Sequence, residues 1–356
     1  MESQHNLLHA FGWDGWFESR AACGPDDAIA RVTAVDRDQL LLADQAGAFR
    51  AKLAGRYLYR HTRPHEMPCV GDWVILKKTA GDSLGVIHTL IERRTALRRK
   101  SAGSEVDDQM IAANVDVVVI VQSCHFDFNL NRLERYLVMV RDGGAQPIIL
   151  LTKTDLVEPG VLAEQQSGIR SAGISAPVLA LSNVTQAGVD GFKRQLLPEK
   201  TYCFVGSSGV GKSTLINILA GSGRLETADV SATGEGCHTT VRRELIRLDG
   251  GALVIDNPGM REFGILGADE GVSGNFAEIE ALASQCRYGD CSHTREPGCA
   301  VIEAVSSGEL SREQYDNYLK IREESTFYQL SYAEKRKKDR DFGRFLKSAK
   351  KDIFDD

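Results

Sequence analysis

Two short motifs stand in an order that restricts the fold more than anything else in this 356-residue chain. Thr152-Lys153-Thr154-Asp155 comes first, and Gly206-Ser207-Ser208-Gly209-Val210-Gly211-Lys212-Ser213 follows it. The later motif is a GxxxxGKS phosphate-binding loop. The earlier one is the TKxD form of the signature with which nucleotide-binding α/β domains read guanine, and it ordinarily lies after the phosphate loop. The reversed order implies circular permutation. The site is retained while the chain ends of the domain move, which leaves room for modules on both flanks.

The patterning around these motifs supports three regions. Up to residue 104, short β-rich stretches at residues 31–35, 39–43, 49–53 and 72–76 are separated by Gly, Pro and Asp turns. Such spacing suits a small closed β-barrel of the OB-fold type. Barrel shape by itself does not establish nucleic-acid binding. From 105 to 275, continuous apolar runs at 115–121, 147–151, 177–181, 201–205 and 252–255 read as strands covered on both faces. A helical stretch at 130–140 lies among them, and the alternation predicts a doubly wound α/β P-loop domain, circularly permuted. From 276 to 356 a Cys/His cluster precedes helix-prone charged sequence, which predicts a zinc-binding, mainly helical domain.

The phosphate loop follows an apolar strand and leads into the helix-compatible run from Thr214 to Leu219, the setting this motif requires. Its glycines let backbone N–H groups face phosphate, and the helix N-terminus adds partial positive charge. Lys212 is expected on the β- and γ-phosphates and the Ser213 hydroxyl on Mg²⁺. The Asp155 carboxylate can accept from the guanine ring N–H and exocyclic amine together, a donor pair that adenine lacks. The Lys153 stem can lie along the ring, and Ser182-Asn183 is placed to offer backbone N–H to the guanine oxygen.

Asp256-Asn257-Pro258-Gly259 fits the DxxG element, with Asp256 toward Mg²⁺ and the Gly259 N–H toward the γ-phosphate. Met260 stands where a water-orienting glutamine is common, and it has no hydrogen bond to give. His238 is the replacement expected for that role, an imidazole in the segment between phosphate loop and DxxG. Thr240 is expected to meet Mg²⁺ when GTP is bound.

Cys286, Cys291, His293 and Cys299 are spaced C-x4-C-x-H-x5-C, with Pro297-Gly298 turning the chain before the last of them. Three thiolates and an imidazole suit a closed tetrahedral Zn²⁺ site of structural type. Cys23, Cys69, Cys124, Cys203 and Cys237 lack ligand spacing and read as buried or inert thiols. A net charge of −6 argues against a uniformly basic nucleic-acid coat, so RNA contact would fall to local patches. The basic runs at 93–100 and 335–340 are candidates, although a solvated charged face explains such runs equally well. No apolar run approaches a membrane span and no signal-peptide pattern opens the chain, so a cytoplasmic protein is expected.

Together these features resemble the circularly permuted small-ribosomal-subunit-dependent GTPases, the RsgA (YjeQ/EngC) family. The resemblance rests on residues 111–116 and 131–136, the TKTD tetrapeptide, residues 206–214, His238-Thr239-Thr240, residues 256–263 and the cluster from Cys286 to Cys299. It implies a monomer that binds GTP and GDP, docks on the small ribosomal subunit and its rRNA late in assembly, and hydrolyses GTP under stimulation by that subunit. It implies one structural Zn²⁺, Mg²⁺ with the nucleotide, and the switch histidine as a catalytic group beside Lys212 and Thr240. The chain departs from the family at Asn257 (usually threonine), Asn183 (usually alanine), Val241, Glu235 and Cys237. Two other functions fit the same motifs: a GTP-gated RNA-binding factor with little turnover, or a GTPase acting on another RNA such as tRNA.

Overall fold

The computed structural model describes residues 8–36, 39–78, 84–100, 108–221, 243–257 and 276–329. Strand β1 (Asp27–Val35) pairs antiparallel with β2 (Leu40–Asp44), and β2 with β3 (Gly47–Leu53). Strands β4 (Trp73–Lys77) and β5 (Leu84–Leu90) complete the ring: β3 runs parallel to β5, β5 antiparallel to β4, and β4 returns to β1. That five-stranded closure is the Greek-key barrel expected of an OB-fold.

Period-two alternation explains its apolar strands. Val74 and Leu76 of β4 point into the barrel with Ala30, Val32, Leu42, Ala51 and Ile87. Trp73 and Ile75 point outward, where Leu8, Trp13, Phe17 and Ile91 cover them. The N-terminal segment therefore packs on the barrel through helix α1 (Gly15–Glu18), with Trp13 edge-on to Trp73 at 4.8 Å. Helix α2 (Gly55–Arg60) follows β3. Beyond the barrel, β6 (Ala96–Lys100) and β7 (Asp108–Ala113) form a separate antiparallel ribbon.

The nucleotide sheet contains β8 (Val117–Ser123), β9 (Gln146–Thr152), β10 (Val178–Ala180), β11 (Thr201–Val205), β12 (Glu244–Arg247) and β13 (Leu253–Asp256). Their spatial order is β10-β9-β8-β11-β13-β12, parallel except for the edge strand β12. Helices α3 (Leu130–Asp142), α4 (Pro159–Ser171), α5 (Val189–Lys193) and α6 (Lys212–Ala220) connect these strands. Both faces are buried: Val118 and Ile120 enter one core while Val119 and Val121 enter the other. The apolar runs thus become covered parallel strands, with one antiparallel strand at the edge.

Barrel and nucleotide sheet are hydrogen-bonded into one eleven-stranded sheet, joined where Ala34 of β1 opposes Glu244 of β12. A fully buried arginine braces this region. Arg31 donates to Gly71 O (3.1 Å), Asn114 O (3.0 Å) and Phe11 O, which ties barrel, nucleotide domain and N-terminal segment together. Burial pushes its guanidinium down to about 10. Nearby, Arg93 grips Asp72 with two 2.8 Å bonds, and Arg94 reaches Asp14 and Asp116. The basic run 93–100 therefore begins with two structural arginines rather than a free patch. The second basic run, 335–340, lies outside the described residues.

The chain divides into two compact units, residues 1–263 and 264–356. The second contains α7 (Ala277–Ala283), α8 (Ala300–Ser307) and α9 (Arg312–Gln329) and is helical throughout its described regular structure. Among the described residues no helix is long and apolar enough to cross a membrane.

Candidate nucleotide site and metal cluster

Strand order brings the two motifs together. Strand β11 delivers the phosphate loop and β9, one strand beyond β8, delivers TKTD, both at the carboxyl ends of a parallel sheet, where open α/β folds hold ligands. Gly206 begins the loop at φ +145°, and a Cβ there would lie 2.2 Å from the Val121 carbonyl oxygen of β8. Only glycine allows that approach. Gly211, also left-handed, caps α6 and places Lys212 at the first helical position.

Two side chains stitch the loops after β9 and β10 to the phosphate loop. The buried Thr152 hydroxyl donates to Val210 O at 2.7 Å, and the Asn183 amide donates to Gly211 O at 2.9 Å. Lys153 sits in the left-handed region at φ +57°, half-buried, and Asp155 is exposed beside it. Ser182 is buried, and its hydroxyl accepts from Val184 N and Thr185 N, shaping the loop. Gln186 secures it further by donating to Asn183 O at 2.6 Å.

Lys212 is the buried cation of the site. Its ammonium donates to Gly206 O (2.8 Å) and Ser207 O (2.6 Å), and burial pushes it down to about 8. Two carboxylates draw its charge, Asp256 and Asp127, and burial raises both of them. Asp256 ends β13, with Oδ2 3.5 Å from the Ser213 hydroxyl. Its Oδ1 is buried with no hydrogen-bond partner among the described residues. An unpaired carboxylate oxygen beside a hydroxyl is the hard oxygen donor set that Mg²⁺ takes, so these residues fit that ion.

Asp127 carries no signal in the sequence motifs. It lies between β8 and α3, where Arg132 of α3 holds Oδ1 at 2.7 Å. Gln122 fixes the same loop by bonding both N and O of Asn129, the N-cap of α3. Asn257, the departure after Asp256, donates its amide to the Cys203 sulfur at 2.8 Å in a fully buried position. Cys203 is pushed up to about 12 by burial. Cys69, Cys124 and Cys203 are buried, while Cys23 is exposed and its thiol is raised above the usual range by partial burial and by Asp27. His238, Thr240, Gly259, Met260, Glu235, Cys237 and Val241 lie outside the described residues.

In the second unit, the ligand atoms of Cys286, Cys291, His293 and Cys299 all lie within 4.8 Å of one another. Cys286 Sγ is 3.8 Å from Cys299 Sγ and 3.6 Å from His293 Nδ1. A tetrahedral ion with metal–sulfur bonds of about 2.3 Å sets its sulfurs about 3.8 Å apart, so the spacing fits such an ion. The surrounding contacts hold the loop carrying these ligands. Tyr315 OH donates to His293 O at 2.6 Å, and Arg322 donates to Ser292 O and Cys291 O. The Glu296 carboxylate accepts from the Ser292 hydroxyl and from Ser292 N, Thr294 N and Arg295 N, and the bond from the Ser292 hydroxyl, with those from Arg295 N and Ser292 N, holds it far below the usual carboxylate range.

A phosphate loop tethered to a TKxD loop, with the latter earlier in sequence, defines a circularly permuted P-loop GTPase fold. The RsgA GTPase family model matches residues 90–266. Small ribosomal subunit biogenesis GTPase RsgA 2 of Listeria monocytogenes is 40% identical over 322 residues, 90% of each chain. RsgA 1 of Bacteroides thetaiotaomicron is 36% identical over 355 residues, 99% of each chain. The crystal structure of YjeQ from Thermotoga maritima superimposes with TM-score 0.63 at 25% identity, over 84% of this chain and 99% of that one. YloQ, described as a circularly permuted GTPase, gives TM-score 0.60 at 25% identity, covering 88% and 100%. This chain belongs to the RsgA family of GTPases.

Proposed function

We propose that this protein binds the small ribosomal subunit and hydrolyses GTP to GDP and phosphate during late assembly of that subunit. The observation that carries the nucleotide half is the pair of bonds Thr152–Val210 and Asn183–Gly211, which assemble base-reading and phosphate-holding loops into one cleft. The ribosomal half rests on relatives named for small-subunit biogenesis that match this chain over 90% or more of its length.

In this reading Asp155 and Lys153 select guanine, the Ser182-Asn183 backbone meets its oxygen, and Gly206 to Thr214 cradle the phosphates. Lys212 trades its two carbonyl partners for phosphate oxygens and offsets the charge that spreads over them at the transition state. Asp256, Ser213 and Thr240 would hold Mg²⁺, which supplies further neutralisation of the β- and γ-phosphates when bound. Gly259 senses the γ-phosphate, and His238 orients the attacking water.

The Cys₃His cluster holds one structural Zn²⁺, since four protein ligands leave no position open for water. Residues 1–104, 105–275 and 276–356 act as barrel, GTPase and zinc modules of a cytoplasmic monomer. GTP turnover measured with and without purified small subunits tests the proposal. Stimulation by the subunits is expected, and equal rates would remove the ribosome from the function.

A further inference from the structure

Asn183, in the loop after β10, reaches the phosphate loop with its side-chain amide, a contact that a shorter side chain such as alanine cannot make. The acceptor, Gly211 O, already receives Leu215 N at 3.0 Å as the first bond of α6. One carbonyl thus joins the helix start, the residue before Lys212 and the loop after β10. Space there is tight: a Cβ on Gly211 would lie 2.7 Å from Asn183 Nδ2. The partner loop is itself rigid, closed by Ser182 N to Ala187 O (2.9 Å) and by Gln186 on Asn183 O. A stiff base-reading loop therefore presses a donor onto the backbone hinge of the phosphate loop.

We propose that Asn183 is a positioning residue that couples the guanine half of the site to the phosphate half through the Gly211 carbonyl. The inference rests on the nucleotide reading above. Holding that carbonyl fixes the Gly211 peptide plane and the direction from which Lys212 enters the cleft. A ligand that fills both halves gains from the tether; one that fills only the base half does not.

Affinity measured by calorimetry for GDP, and by competition for guanosine, tests this on the full chain. Asn183→Ala is expected to weaken GDP roughly 2- to 12-fold, the range for one net hydrogen bond. Guanosine is expected to change less than twofold. Asn183→Ser adds no charge and is too short to bring a donor to Gly211 O, and should weaken GDP as much as Asn183→Ala. This second neutral variant also decides the question if the alanine variant does not fold. Unchanged GDP affinity in either folded variant, or an equal loss for GDP and guanosine, overturns the coupling role while leaving the nucleotide site intact. Failure of the wild type to bind GDP removes the nucleotide reading and this inference with it.

Discussion

Replacing Gly206 with alanine tests the joint on which the phosphate loop turns. The new Cβ would meet three backbone atoms of Val121: O at 2.2 Å, C at 3.2 Å and Cα at 3.5 Å. No side chain can swing away to relieve the contact, so β8 and β11 must separate by roughly 1 Å beyond their last pair, Ile120–Val205. The residue also sits at φ +145°, where an alanine carries about 1–3 kcal/mol of strain. Overpacking adds about 1–3 kcal/mol, giving an expected loss of about 2–6 kcal/mol. Against a typical total of roughly 5–15 kcal/mol, this is a large change. Urea unfolding followed by fluorescence measures it, with Gly168→Ala as the control. Gly168 lies inside α4 with open space around its Cα, so alanine there should stabilise by about 0.5–1 kcal/mol. A Gly206→Ala protein within 1 kcal/mol of wild type, with m unchanged, would refute the argument that this approach requires glycine.

Asp155→Asn should abolish the preference for GTP over ATP in competition binding, because an amide cannot accept both guanine donors. Cys291→Ser, or chelation, should release the metal found by elemental analysis and cost the second unit its structure, read by limited proteolysis, while GDP binding persists. Arg31→Met leaves the carbonyls of Phe11 and Asn114 without a donor and Gly71 O with the Asn114 amide alone, and should destabilise by about 2–4 kcal/mol in chemical unfolding. His238→Ala should slow single-turnover hydrolysis about 10²–10⁴-fold with little change in GTP affinity, and equal rates at saturating subunit would remove the imidazole from the mechanism.

Much of this site could be read before any fold was known, because its chemistry is local in sequence. TKTD, the phosphate loop and the cysteine spacing each place several functional groups within a few residues, so chemical need shows directly as a pattern. The covered strands were equally legible, since β8, β9 and β11 are apolar on both faces. Strands β5, β12 and the β6–β7 ribbon were not among the strands foreseen. Polar residues such as His88 of β5, Glu244 of β12 and Arg98 of β6 interrupt the apolar signal there. The Asp127–Arg132 pair was invisible for a different reason. Nothing about an aspartate five residues before an arginine announces that the loop after β8 will lie against the phosphate loop. Asn183 could be seen as a departure, but its partner Gly211 is brought near only by the order of strands.

The strand order also dictates when each part of the cleft exists during synthesis. Strands β8, β9 and β10, with the loops that hold Thr152 to Asp155 and Ser182-Asn183, leave the ribosome before β11 has been made. A chain halted near residue 195 carries both loops proposed to read guanine and none of the loop proposed to hold phosphate. Such a chain also leaves the β8 edge unpaired, because its neighbour there is β11. Addition of β11 covers that edge and delivers Gly206 to Lys212 at once, so the loop proposed to hold phosphate arrives in the same step that pairs the open side of β8.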